Sequence, residues 1–416
     1  MSYIKTQLYK VVNQNKQIRK FSKFMIRNWW KFRYQTACLS TKTDEKTFIF
    51  EAFQGRKYAC SPKAIYEEMI RNKEYEGFSF LWIFREPENY LFLENNPNTK
   101  VIKFGSRDYY QAFAKAKYWV VNSRTRKCLL PKKNQVYIQT WHGTPLKRLG
   151  CDIMVEGNNI MSLKEMKEDY REEGRRVSYF LSPSSFYTEK ISSAFDLRKD
   201  KKKIIELGYP RNDFLFKFQN DQVQNIREKL QIPKEKKVIL YAPTFRDNQH
   251  TKDMGCKFQL GFDIERMYEM FNEDYVILFR THYFVTSLFD FSQYKGFVYD
   301  VSEFDDINEL YIISDLLITD YSSVFFDYAN LKRPIIFFMY DFEEYKNSVR
   351  DFYLNIENLP GDIVKTEEEL YHEIKRLENK FVYDERYQAF RETYNYLDGP
   401  DTSKKILKYI LDKKRL

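Results

Sequence analysis

Apolar and polar positions change their spacing more than once along this chain. Up to residue 33, Ile4, Leu8, Val11, Ile18, Met25, Trp29 and Phe32 form a stripe at helical spacing, interrupted by Asn15 and Ser22. That pattern predicts an amphipathic helix with Trp29-Trp30 near its end. From residue 45 the stripe gives way to short apolar runs separated by helical stretches. Runs at 47–50, 78–84, 101–104, 118–122, 136–140 and 179–182 read as strands, with helices at 63–72 and 109–116 between them. After Gly208-Tyr-Pro210 and a charged stretch at 221–237, a second series appears at 237–242, 275–279, 315–319 and 334–339. Strands alternating with helices give parallel, doubly wound sheets. The simplest α/β architecture is therefore two Rossmann-like domains facing a cleft. The expected divisions are 1–33 for the helical segment, 34–210 for the first domain and 211–416 for the second, its final helices packing back.

A length of 416 residues suits two domains and an appendage, and 43% apolar residues suffice for their cores. Aromatics at 18% fit a surface that meets lipid, sugars or bases, although most of those rings read as core. The net charge of +10 is not spread evenly. Residues 1–43 carry ten Lys or Arg and no acid, and the remainder balances at 59 of each sign. Positive charge is thus needed at the N-terminus, where an anionic membrane surface would contribute about 1 kcal/mol per basic residue. The plainer reading is a solvated helix packed on the body or on a partner. A chain neutral elsewhere is not a general nucleic-acid binder.

Cys38, Cys60, Cys128, Cys151 and Cys256 are odd in number and scattered, with no CxxC pair, which argues against zinc and for a reducing compartment. No apolar run approaches the roughly 18–20 residues that span a bilayer. The N-terminus is also too polar for a signal peptide, so a cytoplasmic protein is expected. GxGxxG and Walker A sequences are absent, Asp305-Asp306 reads as an ordinary pair of loop acids, and neither metal nor cofactor is expected.

Open α/β sheets bind ligands beyond the carboxyl ends of their strands, and the unusual polar residues fall there repeatedly. His142, one of only four histidines, follows the 136–140 run. His142-Gly143 breaks that strand, and Thr144-Pro145 reads as an N-cap with proline opening a helix. A proton-transfer group would then stand beside donor-rich amides suited to an oxyanion. Thr244-Phe-Arg246, Arg280-Thr-His282 and Asp320-Tyr-Ser-Ser323 end three strands of the second series, the last before a helix at 324–331. Ser322 and Ser323 can donate to a phosphate while one of them caps the helix. Arg246 and Arg280 can neutralise a diphosphate. Asp327 can accept from ribose hydroxyls, and His282 can donate to a leaving phosphate. Each has an ordinary alternative: a capping serine, a solvated arginine, a helix acid, a structural histidine. His250 and His372 read as surface residues.

Together these segments resemble the CDP-glycerol glycerophosphotransferase family, whose members prime or polymerise teichoic acid. The matching stretches are Trp-His-Gly-Thr-Pro-Leu-Lys (141–147), Gly-Tyr-Pro-Arg-Asn-Asp (208–213), Tyr-Ala-Pro-Thr-Phe-Arg (241–246), Arg-Thr-His (280–282) and Thr-Asp-Tyr-Ser-Ser-Val-Phe-Phe-Asp-Tyr-Ala (319–329). They run in family order across roughly residues 45–390. The resemblance implies a GT-B arrangement and a peripheral, monotopic enzyme on the cytoplasmic face of the membrane. It implies a CDP-glycerol or CDP-ribitol donor, a lipid-linked glycan or polyol phosphate acceptor, and loss of CMP. By the same resemblance His142 and His282 are catalytic. Ser322, Ser323 and Asp327 hold the CDP, and Arg211, Asp213 and Arg246 line the cleft. Gly143, Thr144, Lys147, Thr244, Arg280 and Asp320 complete the expected substrate contacts. Two rivals remain at this point: a glycosyltransferase using a nucleotide sugar, and a non-catalytic module that binds RNA or lipid. Glycerol or ribitol, priming or polymerising, wall or capsule, and which histidine is the base all stay open.

Overall fold

A computed structural model of the chain describes residues 16–154, 162–244, 260–281, 290–342 and 352–412. Contacts group it into two units, Met1–Arg56 with Met69–Ile138, and Lys57–Glu68 with Gln139–Leu416. Two sheets, every resolved pairing parallel, carry the fold, as the alternating pattern predicts.

The first sheet contains β1 (Asp44–Glu51), β2 (Ser79–Phe84), β3 (Thr99–Lys103), β4 (Ala116–Val121), β5 (Val136–Gln139), β6 (Tyr179–Ser182) and β7 (Ile204–Glu206) in the order β3-β2-β1-β4-β5-β6-β7. The second contains β8 (Lys237–Tyr241), β9 (Tyr275–Phe279), β10 (Val298–Asp300), β11 (Leu316–Thr319), β12 (Ile335–Phe338) and β13 (Asp362–Val364) in the order β10-β9-β8-β11-β12-β13. Strand order reverses between β1 and β4 in one sheet and between β8 and β11 in the other. Such switch points open a crevice at the strand carboxyl ends.

Continuous apolar runs become central strands because both faces of a parallel sheet are covered. In the second sheet Val238, Leu240, Val276, Leu278, Leu317 and Phe337 fill one core. Their neighbours Ile239, Tyr241, Ile277, Phe279, Ile318, Ile336 and Phe338 fill the other. That is the two-residue period of a strand expressed as two hydrophobic layers.

The N-terminal helix α1 runs Lys16–Ser40, past the expected end at residue 33. Ile4, Leu8 and Val11 lie outside the described residues. Its last turns dock: Tyr34 and Ala37 are buried, and the Tyr34 hydroxyl donates to the Leu130 carbonyl at 2.8 Å. Upstream, Ile18, Phe21, Phe24, Met25, Ile26, Trp29 and Phe32 are exposed by 41–64%. Among the described residues no helix is long and apolar enough to cross a membrane.

Candidate active site

β5 enters the candidate site through buried polar side chains. Gln139, fully buried, donates from Nε2 to Glu173 of α2 (Leu163–Arg176) at 3.0 Å, and its Oε1 accepts from the Trp141 amide at 3.0 Å. The turn so pinned puts Trp141 at φ 51°. A left-handed conformation costs a bulky side chain roughly 1–3 kcal/mol. Burial of the indole offsets that, because the ring is 7% exposed and packs 5.1 Å from Phe195 and 6.2 Å from Tyr170. His142 then emerges exposed, its imidazole stacked on the indole at 4.5 Å. An anchored tryptophan thus holds an accessible imidazole.

Gly143 is where the second segment arrives. A Cβ at this position would lie 2.8 Å from Ser323 Oγ. The His142 loop and the Ser322–Ser323 turn are therefore in direct contact, within one unit of the fold.

The helix expected after Thr144-Pro145 is not there. Lys147 pairs antiparallel with Phe352, the Tyr353 amide donates to the Leu146 carbonyl at 2.8 Å, and the Leu149 amide donates to the Tyr353 hydroxyl at 3.1 Å. Backbone groups that a helix would use are committed to that segment instead. The oxyanion argument made from a helix start after Pro145 falls with it.

At the end of β11, Asp320 is 2% exposed and its Oδ1 accepts from the Thr244 and Tyr321 amides at 2.7 and 2.5 Å. The Thr319 hydroxyl donates to the Ala242 carbonyl at 2.8 Å. These bonds tie the β8 and β11 ends together on either side of the switch point. Ser323 precedes the short helix α3 (Val324–Tyr328), yet its side chain makes no capping bond to it. Arg280 spends its Nη1 on the carbonyls of Val301 and Phe304, at 2.7 and 2.8 Å, bracing the loop beyond β10.

The 208–213 motif forms a buried joint. Gly208 has φ 106°, and a Cβ there would meet the Leu397 carbonyl at 2.6 Å. Arg211 pairs with Asp327 at 2.9 Å, while Asn212 donates to Asp327 at 3.0 Å and to Asp398 at 2.7 Å. Burial works against the Arg211 charge, but Asp327 together with Cys60 and Tyr209 outweighs it and holds the pKa above the ordinary value. Burial pushes the Asp398 carboxyl up to about 6, against the pull of the Tyr209 amide, Asn330 and Asn212. Asp213 accepts from the Thr402 and Ser403 amides at 2.9 and 2.8 Å, anchoring the start of helix α4 (Thr402–Leu411). Its carboxyl is likewise raised to about 6 by burial.

Of the expected site residues, then, His142, Gly143, Ser322 and Ser323 come together, with Thr144, Lys147, Thr244 and Asp320 on the loops that hold them. Arg211 and Asp327 meet each other, Asp213 faces α4 and Arg280 faces the β10 loop. Arg246, His250 and His282 lie outside the described residues, and His372 is exposed. Asn212, Asp398 and Cys60 were not singled out from sequence. Cys60, at φ 66°, accepts from Arg211 Nη1 at 3.7 Å. Asn212 was signalled by its place inside the 208–213 stretch, whereas nothing local marks Asp398.

The family model described as CDP-Glycerol:Poly(glycerophosphate) glycerophosphotransferase matches residues 33–412. A teichoic acid poly(glycerol phosphate) polymerase of Staphylococcus epidermidis is 40% identical over 404 residues, 96% of this chain and 55% of that protein. The chain thus spans about half the length of that relative. One of the same description from Bacillus spizizenii is 39% identical over 370 residues, 88% of this chain and 92% of its own length. Among solved structures, the wall teichoic acid polymerase TagF, in a variant soaked with CDPG, matches with a TM-score of 0.83 at 38% identity. That match covers 96% of this chain and 97% of the other.

Proposed function

The chain belongs to the CDP-glycerol:poly(glycerophosphate) glycerophosphotransferase family, and from that premise we propose that it moves a polyol phosphate from a CDP-activated donor to an acceptor hydroxyl. The donor is CDP-glycerol or CDP-ribitol. The acceptor is the end of a lipid-linked teichoic acid or capsule chain. CMP is released.

The observation that carries this reading is the seating of the His142 loop on Ser323 through Gly143. That seating supports a base on the His142 loop and hydroxyl donors on the Ser322–Ser323 turn acting on one ligand. In the step itself the acceptor oxygen bonds to the phosphorus next to the polyol, and the bridging P–O bond to CMP breaks. His142 takes the acceptor proton, a task suited to an imidazole. Ser322 and Ser323 bind the diphosphate, and Arg246 and His282 neutralise it as CMP departs. Catalysis of this kind is mostly positioning and charge stabilisation. The Arg211–Asp327 joint fixes the helix that follows the serines, and Asp213 fixes α4. The enzyme works peripherally on the cytoplasmic membrane face, a placement supported by the exposed apolar side of α1 and the basic residues along its sequence.

The test is CMP release from CDP-glycerol and CDP-ribitol over a lipid-linked acceptor. His142→Ala and His282→Ala should each lower turnover by at least about 10²-fold. Near-normal rates in either variant exclude that residue from catalysis. Release of CDP in place of CMP excludes phosphoryl transfer.

A further inference from the structure

The first sheet has a switch point of its own, between β1 and β4, and its carboxyl edge is strongly basic. Arg56 follows β1, Arg85 follows β2, Phe104-Gly105 follows β3 and Arg126 follows β4. Aromatic rings lie against the guanidiniums of Arg126, Arg85 and Arg33. Arg126 lies 4.4 Å from the Phe104 ring and 4.2 Å from that of Trp30, and its Nη1 donates to the Tyr110 hydroxyl at 2.7 Å. Arg85 lies 5.1 Å from the same Phe104 ring, and Arg33 lies 4.7 Å from Tyr110. The loop after β1 holds three successive left-handed residues, Phe53, Gln54 and Gly55 at φ 49°, 57° and 76°. Its carbonyls anchor two of the arginines: Arg85 Nε donates to Gln54 O and Arg56 Nη1 to Phe53 O, both at 3.0 Å. Strain gathered at a strand end and used to aim side chains belongs to binding sites.

Counter-charge is scarce here. No ion pair joins Arg33, Arg56 or Arg85 to an acid among the described residues. Glu51, the last residue of β1, is 1% exposed, and its Oε2 has no hydrogen-bond partner. Burial pushes its carboxyl up to about 7 against the pull of Arg126 and Arg85, so it only partly offsets them. Burial and the neighbouring Arg56 charge both depress the Arg85 pKa, the mark of cations crowded together. Crowded guanidiniums, those of Arg85 and Arg126 set against the Phe104 ring, suit phosphate oxygens.

We propose that this edge, through Arg56, Arg85 and Arg126, is a subsite for successive phosphodiester groups of the polyol phosphate acceptor. The inference rests on the acceptor class given above and adds where its chain is gripped. Neighbouring strands lie about 4.8 Å apart, so loops on β2, β1 and β4 set the arginines in a row, which matches a chain of anions better than one. An anionic bilayer is the other source of phosphate, and the vesicle arm of the experiment separates it from the polymer.

The experiment uses the full chain and an Arg56→Gln/Arg85→Gln variant, both side chains being exposed and dispensable to the core. A synthetic oligo(glycerol phosphate) and CDP-glycerol are titrated separately by calorimetry, and phosphatidylglycerol vesicles by co-sedimentation. The variant should bind the oligomer about tenfold more weakly or worse, with CDP-glycerol and vesicle binding unchanged. Unchanged oligomer affinity overturns the proposal, as does loss of vesicle binding with oligomer binding intact. A wild-type chain that binds the oligomer through these arginines but no CDP-glycerol refutes the donor assignment while supporting this one.

Discussion

Replacing Asp327 by leucine tests whether the 208–213 stretch is a structural joint. Arg211 is 5% exposed and Asp327 6%, and they meet at 2.9 Å. Breaking a buried pair from one side leaves an uncompensated charge, which costs about 3–5 kcal/mol. The Tyr209 ring, 4.0 Å from the Arg211 guanidinium, retains at most about 2 kcal/mol of that by cation–π attraction. Asp327→Leu should therefore lose about 1–5 kcal/mol, and Arg211→Met, which has no cation–π contact to keep, about 3–5 kcal/mol. The double variant has no stranded charge and should be less destabilised than either single one. Urea unfolding followed by circular dichroism gives the four corners of the cycle, and the coupling follows by difference. Losses that simply add, or single variants costing under about 1 kcal/mol, would refute the joint. Asp327→Asn separates the ribose role. It keeps an acceptor for Arg211 and Asn212, so a folded variant with a raised donor KM shows that the carboxylate also serves the nucleotide.

Three further outcomes follow from the geometry. Glu51 has a folded pKa of about 7 against an ordinary 4.5, so the native state binds the extra proton between those values and stability falls as pH rises. Glu51→Gln removes that burden: urea stability should rise by up to about 3 kcal/mol above pH 7 and change little below pH 4.5, and a gain equal at both ends contradicts the assignment. Gly143→Ala places a methyl 2.8 Å from Ser323 Oγ, so turnover should fall by about 10²-fold at an unchanged melting temperature, as expected for a displacement near 1 Å. Normal turnover would mean that the loop and the serine turn need no close contact. Phe24→Ser/Trp29→Ser should weaken co-sedimentation with anionic vesicles at least about tenfold, since both rings are exposed; unchanged binding points to a protein partner for α1.

What could be read in advance depended on burial. Central strands such as β1, β2, β8 and β9 announced themselves because both faces are apolar. β7, β10 and β13 are three residues each and stand at sheet edges, so Ile204–Glu206, Val298–Asp300 and Asp362–Val364 carry no apolar run to read. The His142 loop and the Asp320–Ser323 turn were both found at strand ends, but their contact through Gly143 is tertiary. Thr144-Pro145 misled for a related reason. Its local preference for a helix start is real, and pairing with Phe352 and Tyr353, two hundred residues away, overrides it.

That override bears on how the charge of a diphosphate is met. With the backbone of Leu146 and Leu149 bonded to Tyr353, and α3 only five residues long, helix ends contribute little positive potential beside His142. Arg280, which strand-end reasoning offered, and Arg211, which the family resemblance implied, are turned to carbonyls and to Asp327. Neutralisation in the proposed mechanism therefore falls on hydroxyl donors and on the residues just beyond Thr244 and Thr281, Arg246 and His282. Arg246→Gln should then reduce turnover at least as severely as Ser323→Ala in the CMP-release assay, because a lost charge-assisted hydrogen bond outweighs a lost neutral one. A variant at Arg246 milder than the serine variant would return the role to Arg280 or Arg211, and would require the carbonyl and carboxylate bonds they now make to open when the donor binds.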